Sequence, residues 1–179
     1  MTQLGHALTG ISLGILGLRP SLRRRAIIGR LAVFALLANI PDIEVRGWGH
    51  YRYNVSHSVV VTGAFIIVAI IVFKIAERLL NRKFDWGLIT FGALAWLSHL
   101  LLDTFYNHGQ GIGLFWPISD AHVALPIPWF EVIQVIPPPI TAQLLREFAV
   151  ETIFYGAFVL LVIIIVKRRH ARSEKMTSE

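Results

Sequence analysis

The residues best suited to chemistry in this chain are histidines and carboxylates that abut apolar runs. The strongest piece is Ser98-His99-Leu100-Leu101-Leu102-Asp103. His99 and Asp103, at i and i+4, project from one helical face, so one rigid element can offer an imidazole nitrogen and a carboxylate oxygen to one cation. The structural alternative is a helix-end His–Asp hydrogen bond. A second piece, Ile40-Pro41-Asp42-Ile43-Glu44, sets two acids just past a proline that ends a regular run; acids in such places are often merely solvated. His6, His57 and Glu151 each stand at the start of an apolar run. Ionisable groups at membrane depth are costly and usually face a partner, a cavity or an ion. Together His6, Asp42, His57, His99 and Asp103 form a set for one or two divalent cations, with Glu44 and Glu151 in reserve as proton acceptors. The chain has no cysteine, so thiolate sites are excluded; zinc suits a mixed nitrogen and oxygen set, and manganese is a second choice. Such an ion polarises a carbonyl or phosphoryl oxygen and lowers the pKa of a bound water toward ~7, while a spare carboxylate takes the proton.

Those residues need elements to position them. At 55% hydrophobic content over 179 residues and a mean hydropathy of +0.61, the chain is more apolar than a soluble domain requires, and the bilayer is its expected solvent. The net charge of +6 does not point to nucleic acid, because the basic residues lie beside apolar runs without interleaved aromatics. The first six residues carry no basic leader and the first apolar run has no cleavage signal, so it is expected to stay as structure. Five segments read as membrane helices: 4–18, 26–40, 58–76, 86–103 and 148–166. The expected fold is an all-α polytopic membrane bundle, one integral-membrane domain over 1–179. All but three of the 17 Lys and Arg residues fall on one side of that arrangement, the exceptions being Arg46, Arg52 and Arg146. By the positive-inside rule the N-terminus is outside, the C-terminus and the basic tail 167–179 are cytoplasmic, and the site faces outward in an inner membrane. The proline- and aromatic-rich stretch 104–147 is then an outer interfacial loop, read as a lid or ledge, with Trp86, Trp116 and Trp129 as interface anchors.

Several ordered motifs resemble one family, the LexA-binding, inner-membrane-associated metal-dependent hydrolases of YdjM type. They are Gly5-His6, Pro41-Asp42-Ile43-Glu44 where the family has Pro-Asp-x-Asp, Ser56-His57-Ser58 where it has Thr-His-Ser, and Leu97-Ser98-His99 with Asp103. Gly113-Leu114-Phe115-Trp116-Pro117 and Leu125-Pro126-Ile127 look like its Gly-x-x-Leu-x-Trp-Pro and following Leu-Pro-Ile. The chain departs at Arg52-Tyr53-Asn54-Val55, where the family often has His-Arg-Gly-x; His50 is out of register by two residues. After Asp103 the spacing is longer than usual, and His108 lies in the added stretch. The resemblance implies a metal-dependent hydrolase. An outward site under an apolar ledge suits a lipid or lipid-linked substrate, with a phosphoester preferred over an ester or amide because the carboxylate ligands are hard.

Two other classes compete. An ion transporter predicts ionisable residues near the midplane, whereas 66–71 and 88–96 are uncharged. A non-enzymatic interaction protein, as LexA binding suggests, would use only the basic inner loops and tail, which topology already explains; no protein partner is carried over. Gly10, Gly14 and Gly17 read as small residues for close helix packing. Asp120 and His122 read as a solvated loop pair, and His170 as part of the inner tail.

Overall fold

A computed structural model of the protein describes residues 3–18, 23–43, 55–106, 111–125, 127, 128, 130 and 140–178. The apolar runs form helices α1 (Gln3–Leu16), α2 (Arg24–Leu37), α3 (Val59–Leu80), α4 (Trp86–Asp103) and α5 (Ala142–Ser178), with two 3-10 turns, Ile40–Asp42 and Val55–His57, between α2 and α3. Among the described residues β pairing is limited to an isolated bridge, Ile112 with Val123. The all-α architecture expected from the sequence is therefore present.

Membrane-spanning length is less evenly shared than the sequence suggests. α3, α4 and the Ala142–Arg169 part of α5 are long and apolar enough to cross a bilayer. α1 and α2 have 14 residues each; at 1.5 Å per residue they rise ~21 Å, short of a hydrocarbon core of ~30 Å. By length and composition alone, three of the described helices are able to cross a membrane. Ile67, Val68, Ile71 and Val72 on α3, and Leu160 and Leu161 on α5, are large apolar side chains left exposed. In lipid, as apolar as leucine itself, that exposure carries no penalty.

α5 also departs from the expected bounds. It begins at Ala142 and so takes in the end of the proline-rich stretch, and it continues past Val166 through the basic segment. Lys, Arg and Glu are good helix formers, so a charged run that ends a membrane span need not end the helix. Glu151 consequently lies inside α5 rather than at its start.

α1 is the central element, packed against α2, α4 and α5. Its buried face is Gly5, His6, Thr9, Gly10, Ser12 and Gly14, small residues that let backbones approach. The Thr9 hydroxyl donates to the Gly5 carbonyl at 3.0 Å and that of Ser12 to Leu8 at 2.9 Å, so neither needs a partner across the interface. A Cβ added at Gly10 would meet the Phe34 carbonyl and come within 2.8 Å of Ala38 Cβ; at Gly14 it would lie 2.9 Å from Phe34 Cγ, and at Gly17 2.8 Å from Phe91 Cδ2. Phe34, Ala38 and Ala95 form the buried core beside this face, with Leu13, Leu37, Leu88 and Phe91 around them. The α3–α4 hairpin closes through Asn81 in the left-handed region at φ 48° and through Glu77, whose carboxylate accepts from Phe84 N at 2.9 Å and Trp86 Nε1 at 3.0 Å.

Overpacking a tight helix contact costs about 1–3 kcal/mol. Gly10→Val should therefore lower the thermal midpoint of the detergent-solubilised protein clearly. Gly63→Val on α3, where an added Cβ meets nothing within 4 Å, should leave it almost unchanged.

Candidate metal centre

Four chain segments end at one level. His6 lies in the first turn of α1, Asp42 in the 3-10 turn after α2, His57 in the turn before α3, and His99 and Asp103 in the last turns of α4. Each has a local reason to be there. Pro41 starts the turn that carries Asp42, because a proline fits a first helical position and cannot continue a helix. Ser58 caps α3 by accepting from Val60 N at 3.1 Å and Val61 N at 3.3 Å, which fixes the residue next to His57. The five side chains are buried, the least so being Asp42 at 16% exposure, so whatever approaches from water meets Asp42 first.

Their donor atoms face one another. His57 Nε2 and His99 Nε2 are 3.2 Å apart. Asp103 Oδ2 is 3.2 Å from each of them, and Asp42 Oδ1 is 3.6 Å from His57 Nε2 and 3.5 Å from His99 Nε2. A tetrahedral ion with bonds of ~2.0–2.1 Å separates its ligand atoms by ~3.3 Å. Five of the six separations among these four donors, at 3.2–3.6 Å, are close to that spacing, and all four atoms lie within 4.8 Å of one another. His6 stacks on His99 with ring centroids 3.7 Å apart and brings Nε2 to 3.2 Å from Asp103 Oδ1.

The outer atoms of two rings are held by the fold. His99 Nδ1 lies 2.8 Å from the Ala38 carbonyl; a carbonyl only accepts, so Nδ1 carries the hydrogen and Nε2 of the neutral ring presents its lone pair inward. His57 Nδ1 lies 2.9 Å from Ser56 Oγ, the same kind of second contact. Burial pushes the Asp42 carboxyl up, but hydrogen bonds from His57 and His99 outweigh it and hold the group well below the usual carboxylate range. Burial likewise lowers His57, but hydrogen bonds to Asp103 and Asp42 outweigh it and raise it. The cluster therefore binds positive charge, as protons on its imidazoles or as a cation in their place.

The loop expected as a lid braces these ends. The Val59 amide donates to the Leu114 carbonyl at 2.8 Å and the Ser58 hydroxyl donates to that of Trp116, so the Gly113–Pro117 motif is tied to the His57 turn. Leu125 N donates to Thr104 O at 2.6 Å and Ile127 N to Phe105 O at 2.8 Å, which occupies carbonyls at the end of α4, next to Asp103. Both loop motifs thus hold ligand-bearing turns.

Glu151 is fully buried, is not one of the four donors, and has its carboxylate hydrogen-bonded to Tyr106. The Tyr106 and Tyr155 hydroxyls are 3.2 Å apart. Burial and the Glu151 charge push the Tyr106 hydroxyl up, so it stays a proton donor. Sequence reasoning missed this tyrosine pair, Ser56 and the Ala38 carbonyl. Glu44, His50, His108 and Trp129 lie outside the described residues. Asp120 and His122 are exposed, as a solvated pair would be.

With that geometry in view, comparison with known proteins is informative. The chain matches the YdjM inner membrane protein family over residues 1–171. It belongs to that family. It is similar to the inner membrane protein YbcI of Escherichia coli (strain K12), 32% identical over 151 residues that cover 76% of this chain and 77% of that protein. No solved structure matches it significantly. His6, Asp42, His57, His99 and Asp103, the residues on which the resemblance was drawn, are those that meet in the cluster.

Partners that orient metal-binding histidines are typically worth 10–100-fold in metal affinity. If the cluster holds a divalent cation, Ser56→Ala should weaken its binding by about that factor, read by competition with a chromophoric chelator, while metal-free folding is little changed.

Proposed function

We propose that this protein is a membrane-embedded metal-dependent hydrolase, with its site at the outer membrane face and a lipid or lipid-linked phosphoester as substrate. The observation that carries this reading is the convergence of two imidazole nitrogens and two carboxylate oxygens, from the turn after α2, the turn before α3 and the end of α4, to within 4.8 Å of one another. The residues fit a divalent cation: His99 is held with its lone pair inward, and a nitrogen and oxygen set without thiolate suits zinc, with manganese the alternative. When bound, such a cation supplies Lewis acidity, polarising a phosphoryl or carbonyl oxygen and making water nucleophilic near neutral pH.

The chain's own residues supply the rest. Asp42, partly open, gives water and substrate a way in. Glu151 holds the transferred proton, with the Tyr106 hydroxyl as its hydrogen-bonded neighbour. A cleft of about 600 Å³ between α2, α3 and α4, lined by Val33, Leu37, Ile66, Ile70 and Trp96 among others, supports a substrate with an acyl chain. Leu37, one of its lining residues, precedes the Ala38 whose carbonyl holds His99, and Trp96 stands three residues before His99 on α4. Hard carboxylate donors favour a phosphoester over an ester or amide. The outward orientation rests on the Lys and Arg distribution.

Elemental analysis of the purified protein should find stoichiometric metal, reduced to a small fraction in both His99→Ala and Asp42→Ala. Negligible metal in all three would overturn the reading, and metal without turnover on any lipid phosphate, ester or amide would overturn the hydrolase part. For the orientation, a reporter active only in the periplasm, fused after Val166, should be silent.

A further inference from the structure

The carboxylates of Asp42 and Asp103 each turn their two oxygens toward different imidazoles. Asp103 Oδ2 faces His57 and His99, both at 3.2 Å, while Asp103 Oδ1 faces His6 at 3.2 Å. Asp42 repeats the division: Oδ1 faces His57 and His99 at 3.6 and 3.5 Å, and Oδ2 lies 4.0 Å from His6 Nε2. His6 is completely buried; its Nε2 faces Asp103 Oδ1 outside good hydrogen-bond geometry, and its Nδ1 makes no hydrogen bond among the described residues. A buried imidazole left so costs free energy unless something else engages it. Stacking on His99 at 3.7 Å and 18° fixes the ring but satisfies no nitrogen.

We infer that His6 Nε2, Asp103 Oδ1 and Asp42 Oδ2 form a second divalent-cation site, joined to the His57–His99 site by two bridging carboxylates. This rests on the metal reading above and sharpens it from a cluster to a two-ion centre with unequal halves. The His57–His99 half has four protein donors, a closed set; the His6 half has three and keeps room for a non-protein ligand, which is how catalytic zinc positions differ from structural ones. Two-metal hydrolytic centres hold their ions about 3.5–4 Å apart with oxygen bridges, and clamp both the attacking and the leaving oxygen. The His6 half is the one that receives substrate oxygen. It is also the weaker and more readily exchanged half, because it has fewer protein donors.

The test is a manganese titration of the full-length, detergent-solubilised, metal-stripped protein, read by metal content after gel filtration and by electron paramagnetic resonance. The wild type should take up two ions per chain, the second more weakly. Its spectrum should change from that of an isolated ion at one equivalent to an exchange-coupled pair at two. His6→Asn should hold one ion and show only the isolated spectrum. A wild type that saturates at one ion, or at two without coupling, overturns the second site and leaves the single-metal reading intact; so does a His6→Asn protein that still takes two coupled ions. A wild type that binds none overturns both. The coupling in the wild type needs no variant, so the inference stays testable even if His6→Asn fails to fold.

Discussion

One carboxylate organises this protein. Asp103, almost wholly buried, lies 3.2 Å from an imidazole nitrogen of each of His6, His57 and His99. Taking a carboxylate out of water costs several kcal/mol even after the surroundings relax, and removing its partners is worse than never burying it. α1, the turn before α3 and the end of α4 must therefore meet at one level or leave that charge uncompensated. Asp42 adds a second negative charge at the same point and fixes the end of α2 as well. Two carboxylates amid three imidazoles make a cluster whose balance requires added positive charge, and the choice between protons and a metal ion is set by what occupies the space the donors enclose.

That requirement reaches into parts of the chain that bear no chemistry. Bringing His6 to 3.7 Å from His99 demands that α1 run close to its neighbours, and the glycines at 10, 14 and 17 are where larger residues would collide with Phe34, Ala38 and Phe91. The short length of α1 is consistent with the same purpose: a helix that delivers a ligand to one membrane face need not reach the other. The loop segments around Leu114–Trp116 and Leu125–Ile127 are not themselves donors, but their backbone bonds tie down the turns on either side of the cluster.

The sequence disclosed the donors better than their supports. His99 and Asp103 were legible from i, i+4 spacing alone, and His6, Asp42 and His57 from their common position at the edges of apolar runs once topology put those edges on one side. The Ala38 carbonyl was not legible, because a backbone acceptor leaves no trace in residue type. Ser56 and the Tyr106–Tyr155 pair were hidden for a related reason: their contacts depend on how ring planes and distant helices meet, which periodicity does not encode. Glu151 was placed at a helix start because hydropathy begins there; the helix itself starts at Ala142, where helix-forming residues follow the prolines.

A proton or cation path needs polar groups that continue toward the opposite face. Among the described residues, Phe34, Ala38 and Ala95 form a buried apolar core beside the cluster, and the buried polar side chains Thr9 and Ser12 on α1 are hydrogen-bonded to carbonyls of their own helix. Beside the cluster Asp42 is partly exposed, and an apolar cleft lies between α2, α3 and α4; for the lipid hydrolase proposed above, the first would admit water and the second would hold a hydrocarbon chain within the bilayer.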